Sequence, residues 1–183
     1  MDFQNYIRDI PDWPKPGVIF KDITPLLRDR AAFKAAIDVL ADHYRSQNID
    51  LVVSVEARGF IFGGALAYAL GAGFVPARKP GKLPWMKIKV EYSLEYGTDA
   101  IEMHQDAIVK GQRVLVFDDV LASGGTIEAT IKLVNALGGT VDTFSMDPVE
   151  ALAAQGNLTY GSDETWRAFA RINMGSADGI AGY

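Results

Sequence analysis

The chain has no cysteine, which excludes disulfides, thiol nucleophiles and zinc–thiolate centres. Histidine is almost as scarce: His43 and His104 have no companion at metal-ligand spacing, and both read as surface residues. No stretch reaches the ~18 consecutive apolar residues of a membrane helix. The opening Met1-Asp2-Phe3-Gln4-Asn5-Tyr6 has neither the basic region nor the apolar run of a secretory signal. Membrane attachment is therefore not expected, and the location expected is cytoplasmic. Positive charge is not in excess either. The net charge is −5, which argues against non-specific nucleic-acid binding. Repeats and low-complexity linkers are absent as well. What remains is an ordinary globular composition, 49% hydrophobic and 22% charged over 183 residues, enough for one core.

The pattern along the chain divides it into three parts. Residues 1–28 read as irregular, with Pro11, Pro14, Pro16 and Pro25 around Gly17-Val18-Ile19-Phe20-Lys21-Asp22. Residues 29–146 read as the core. Phe33, Ile37, Leu40, Ala41 and Tyr44 recur at helical spacing within 30–47. Leu51-Val52-Val53-Ser54-Val55 and Val114-Leu115-Val116-Phe117 are apolar, β-branched runs of the kind buried on both faces of a sheet. Each is followed by a helical pattern, the first running to about Leu70 and the second ending at Gly138-Gly139. A short strand is expected at Phe74-Val75-Pro76-Ala77, and another beginning at Ala100-Ile101-Glu102-Met103. Residues 79–98 between them read as a long loop or hairpin. Strands alternating with helices predict an α/β fold with a mainly parallel, twisted sheet flanked by helices. Residues 147–183 form a distinct tail. Asp147-Pro148-Val149-Glu150 is a good helix start, Gly156 a stop, Ser162 a second cap, and the end beyond Asn173 is expected to fray.

In a parallel sheet, ligands bind at the carboxyl ends of the strands. Glu56, Asp118 and Asp119 lie just past such ends. The segment Asp118-Asp119-Val120-Leu121-Ala122-Ser123-Gly124-Gly125-Thr126 combines two carboxylates, a turn of small residues and a helix start. Free backbone N–H groups and the positive helix end suit a phosphate. Glycine permits close approach, and Ser123 and Thr126 add hydroxyl donors. The adjacent acids can accept from a diol, so a sugar phosphate is the ligand this pattern suggests. No Gly-Lys-Ser/Thr follows, which argues against a Walker A loop. Arg58 stands at a helix start, against the dipole, where a bound anion would explain it. Arg78, Lys79 and Lys82 form a basic cluster that reads either as a solvated face or as cations for the same anion.

The 118–126 segment resembles the phosphoribosyl-pyrophosphate motif of the type I phosphoribosyltransferases. Pro16-Gly17-Val18-Ile19-Phe20-Lys21-Asp22-Ile23-Thr24-Pro25-Leu26, Glu56-Ala57-Arg58-Gly59-Phe60, Arg78-Lys79-Pro80-Gly81-Lys82-Leu83-Pro84 and Leu94-Glu95-Tyr96-Gly97 extend the likeness to the purine branch of that family, and to its adenine-specific members in particular. Ser123 stands where the family usually has threonine. The resemblance implies the type I fold with an N-terminal hood, and conversion of adenine and phosphoribosyl pyrophosphate (PRPP) to AMP and pyrophosphate. It implies Mg²⁺ carried by the substrate pyrophosphate, no protein metal site, and a homodimer. Asp118 and Asp119 would hold the ribose hydroxyls, and Ala122, Ser123, Gly124, Gly125 and Thr126 the 5′-phosphate. Arg58 would bind pyrophosphate, with Arg78, Lys82 and Lys79 near it. Phe20 would stack on the base while Ile19 and Lys21 read its edge through their backbones. Residues 83–103 would form the mobile catalytic loop, in which Glu95 exchanges a proton with the purine and Tyr96 lies beside it.

Two other functions stay open at this level. One is the same transfer to a different purine. The other is a regulator that binds PRPP without catalysis. The likeness also stops near Gly139: Thr140-Val141-Asp142-Thr143-Phe144-Ser145-Met146 is a weaker strand than the family's, and the tail beyond it matches nothing in the pattern.

Overall fold

A computed structural model describes residues 1–94, 97–119 and 124–145. The tail, including both helices expected there, lies outside these residues, as do Glu95, Tyr96, Ala122 and Ser123.

Four parallel strands form the central sheet: β3 (Leu51–Val55), β4 (Gly73–Ala77), β7 (Arg113–Phe117) and β8 (Thr140–Ser145), in the order β4-β3-β7-β8. The two β-branched runs recognised in the sequence are thus the inner strands. Alternation along them feeds two cores. Val52, Leu115 and Phe117 face α2 (Arg30–Tyr44) and α3 (Gly59–Leu70), meeting Leu40, Phe62 and Leu66. Val53, Val55, Val114 and Val116 face α4 (Gly125–Ala136) and meet Ile127, Leu133 and Val134. Each fully buried side chain of this size contributes about 1.5–3 kcal/mol. The Asp29 carboxylate starts α2 by accepting from the Ala31 and Ala32 N–H groups, each at 2.9 Å.

The opening residues are more regular than expected. A 3₁₀ turn at Phe3–Tyr6 precedes an antiparallel ladder of β1 (Arg8–Pro11) with β2 (Ile19–Asp22), and α1 (Thr24–Arg28) follows. The strands are short, partly exposed and proline-flanked, so they leave no alternation to read. The expected loop of residues 83–103 is mostly an antiparallel hairpin, β5 (Lys87–Leu94) with β6 (Gly97–His104). Ile88, Val90 and Tyr92 on β5, with Ile101 and Met103 on β6, cover the second core beside α4. His104 corrects the surface expectation: it is half-buried, and its Nε2 is a buried atom without a hydrogen-bond partner. The weak segment after Gly139 is a strand, β8, paired to β7 through a register shift between Val114 and Leu115. Among the described residues no helix is long and apolar enough to cross a membrane.

Candidate functional site

The inner strands β3 and β7 lie side by side and parallel, so the segments that leave their carboxyl ends are neighbours. The segment after β3 carries Glu56 and Arg58 and enters α3. The segment after β7 carries Asp118 and Asp119. Arg58 bridges them: its Nε donates to Asp119 Oδ2 in an ion pair across 61 residues of sequence. Its guanidinium also lies over the Phe20 ring, with Cζ 5.4 Å from the centroid. Phe20 packs edge-to-face against Trp13, with the ring centroids 4.4 Å apart. The hairpin β1–β2 therefore brings its aromatic residue to the same place as the carboxylate pair.

The two acids differ in kind. Asp119 is buried and spends its charge on Arg58. Asp118 Oδ1 accepts the Asp119 N–H at 2.9 Å. Burial, and next the Asp119 charge, push the Asp118 carboxyl up from 3.8 to about 8. The Asp118 carboxyl is thereby biased toward its protonated, donating form.

The basic cluster is not a loose solvated face. Arg78 donates to Glu56 twice, Nε to Oε2 at 3.1 Å and Nη2 to Oε1 at 2.9 Å, and the Lys79 N–H adds a third bond at 3.2 Å. The Arg78 bonds, foremost, hold the Glu56 carboxyl below its ordinary 4.5, although burial opposes this. Lys79 pairs with Asp99 and lies 3.4 Å from the Tyr92 hydroxyl. Glu102, buried on β6, accepts the Gly81 N–H at 3.1 Å and pairs with Lys87 at 3.0 Å. Its backbone exchanges two bonds with Arg78, at 2.9 and 2.7 Å. Residues 78–81 are therefore fixed from both sides, by the half-buried Glu56 and the buried Glu102. Arg78 Nη1 also donates to the Lys82 carbonyl at 3.2 Å, and Lys82 itself is exposed.

Other expected residues fall as follows. Ile19 is exposed at the start of β2, and the Lys21 Nζ pairs with Asp9 at 2.6 Å. Gly124, at φ 80°, is the N-cap of α4, with Gly125 and Thr126 in the first turn; no side chain caps these N–H groups among the described residues. Sequence reasoning missed Trp13, Asp99 and Glu102. For Glu102 a signal existed, since a lone acid inside Ala100-Ile101-Glu102-Met103 asks what satisfies it.

A family profile described as "Phosphoribosyl transferase domain" matches residues 22–143. The chain is 59% identical over 138 residues to the adenine phosphoribosyltransferase of Acidobacterium capsulatum, covering 75% of this chain and 76% of that protein. The crystal structure of adenine phosphoribosyltransferase from Thermoanaerobacter pseudethanolicus superposes with a TM-score of 0.76 at 56% identity, over 78% of this chain and 83% of that one. The Saccharomyces cerevisiae enzyme, complexed with an iminoaltritol bisphosphate and adenine, gives a TM-score of 0.75 at 36% identity, over 85% and 92%.

Proposed function

The chain belongs to the phosphoribosyl transferase domain family, and from that premise we propose that it is an enzyme that transfers the 5-phosphoribosyl group of PRPP to adenine. The products are AMP and pyrophosphate. The purine N9 bonds to ribose C1′ while the C1′–O bond to pyrophosphate breaks, and the N9 proton leaves.

The observation that carries the residue assignment is the ion pair of Arg58 with Asp119, which joins the loops after β3 and β7 beneath Phe20. Asp118 and Asp119 take the ribose hydroxyls. Gly124, Gly125 and Thr126, with Ala122 and Ser123, hold the 5′-phosphate at the start of α4. Arg58 turns toward pyrophosphate, for which its planar fork is suited. Arg78, Lys82 and Lys79 supply further positive potential, held in place by Glu56, Glu102 and Asp99. Phe20 stacks on adenine, worth about 1–3 kcal/mol, and the Ile19 and Lys21 backbones supply the directional bonds that choose the base. Glu95, with Tyr96 beside it, manages the purine proton. The Asp119 charge, released when Arg58 turns toward pyrophosphate, favours the positive charge that grows at C1′.

Mg²⁺ enters with the donor. No cluster of three or more carboxylate or imidazole groups able to cage a metal occurs among the described residues, and Asp119 is already paired. Pyrophosphate oxygens and water would hold the ion, as Mg²⁺ prefers, and it would offset their charge. PRPP and AMP are charged and do not cross membranes unaided, which supports a cytoplasmic location. The homodimer is proposed to meet through α3, on which Ile61 and Tyr68 are exposed two turns apart. Residues 1–28 act as a hood, residues 29–146 as the catalytic core, and residues 147–183 as a separate tail.

The test is a panel of adenine, hypoxanthine, guanine and xanthine with PRPP and Mg²⁺. AMP from adenine, with the other bases far slower, is the expected result. Turnover with another base overturns the specificity, and no nucleotide from any base leaves PRPP binding alone.

A further inference from the structure

We propose that Gly59 is a positioning residue for ribose recognition: its missing side chain lets the first turn of α3 close over the Asp118 carboxyl. The inference rests on reading Asp118 and Asp119 as ribose ligands.

A Cβ at residue 59 would stand 3.1 Å from Asp118 Oδ1, and 3.7 Å from both the Asp118 Cα and the Phe117 carbonyl oxygen. The backbone contacts are ordinary van der Waals distances. The carboxylate contact is too tight, so the carboxylate is the group that must give, by a few tenths of an ångström. Asp118 is not free to do so alone. Its Oδ1 holds the Asp119 N–H, and Asp119 holds Arg58. One methyl group would therefore disturb three ligand-facing groups in sequence.

The helix supplies its own controls. Gly63 on α3 faces the sheet, where a Cβ would fall 1.8 Å from Ser54 Oγ and 2.7 Å from Ser54 Cβ. That glycine is required by packing. Gly64 has nothing within 4 Å of its Cβ position. Gly59 is neither case. Its backbone is not left-handed, so conformation alone does not demand glycine, and alanine is the better helix former. The close approach to Asp118 is the feature that alanine would spoil.

Gly59→Ala, Gly64→Ala, Asp118→Ala and the Gly59→Ala/Asp118→Ala double variant would be compared in the full chain. The readouts are thermal melting, steady-state kinetics with adenine and PRPP, and calorimetry with PRPP and Mg²⁺. Gly59→Ala is expected to melt at or above the parent temperature, while kcat/KM for PRPP falls on the order of tenfold and KM for adenine holds. Gly64→Ala should share the thermal behaviour and leave the kinetics unchanged. In the Asp118→Ala background, the extra methyl should cost no further PRPP affinity. Parental PRPP kinetics in Gly59→Ala overturn the inference. So does an undiminished effect in the double variant, or a Gly59→Ala chain that does not fold. If Asp118→Ala itself keeps parental PRPP affinity and kinetics, the ribose reading falls, and the inference falls with it.

Discussion

Glu56 and Arg78 meet through two parallel hydrogen bonds although 22 residues separate them. The β3–β4 register explains this. Val55 lies opposite Ala77, so the next residue of each strand emerges beside the other. Arg78 is thereby held at the strand ends in one orientation before any ligand arrives.

Removing the charge of Glu56 should loosen that hold. Glu56→Gln is expected to raise KM for PRPP severalfold and to leave KM for adenine nearly unchanged. The same variant tests the acid limb of stability. The folded carboxyl titrates below its ordinary 4.5, so its contribution is present above that value and is lost as pH falls through the lower, folded pKa. Melting temperatures of the parent should drop more steeply below about pH 4.5 than those of Glu56→Gln.

Asp118 works in the opposite sense. Its folded pKa of about 8 exceeds the ordinary 3.8, so the fold prefers the protonated acid. The unfolded chain ionises first, and the ligand-free protein should lose stability as pH rises from about 4 to about 8. Asp118→Asn removes this dependence. The variant should melt above the parent near pH 9, by about the alkaline loss of the parent, while its turnover falls. Equal pH slopes in the two proteins would sink this account.

Trp13 should matter to one substrate only. Its edge contact steadies Phe20, and such pairs are worth about 0.5–1.5 kcal/mol. Trp13→Ala is expected to raise KM for adenine by about 2–10-fold, with KM for PRPP held and most of the loss recovered in Trp13→Phe.

Glu102 should behave as a structural anchor with a kinetic consequence. Glu102→Ala strips the Gly81 N–H and Lys87 of their shared acceptor, at a cost of about 1–3 kcal/mol in chemical denaturation. Because residues 78–81 hang from it, PRPP affinity should weaken as well.

The sequence makes the scaffold legible where the physics is local. The runs 51–55 and 114–117 are apolar at every position but Ser54 because both faces are covered, and Asp118-Asp119 follows directly on the second. It conceals what the register creates. The pairs of Glu56 with Arg78 and of Arg58 with Asp119 join residues far apart in the chain, and no spacing announces them. The β5–β6 hairpin is legible only as one of two alternatives for residues 79–98. Lys87, Lys89 and Glu91 alternate with Ile88, Val90 and Tyr92, the period of a half-buried strand, whereas the Pro and Gly residues before them read as loop.

The sheet order has a dynamic consequence. β3 and β7 are each hydrogen-bonded on both flanks, whereas among the described residues β4 and β8 stand at the ends of the sheet. Amides such as those of Val53 and Val116 should therefore trade hydrogen for deuterium only when the whole domain opens. The ligand loops grow from the most slowly exchanging part of the molecule, which lets them adapt to substrate while their roots stay still.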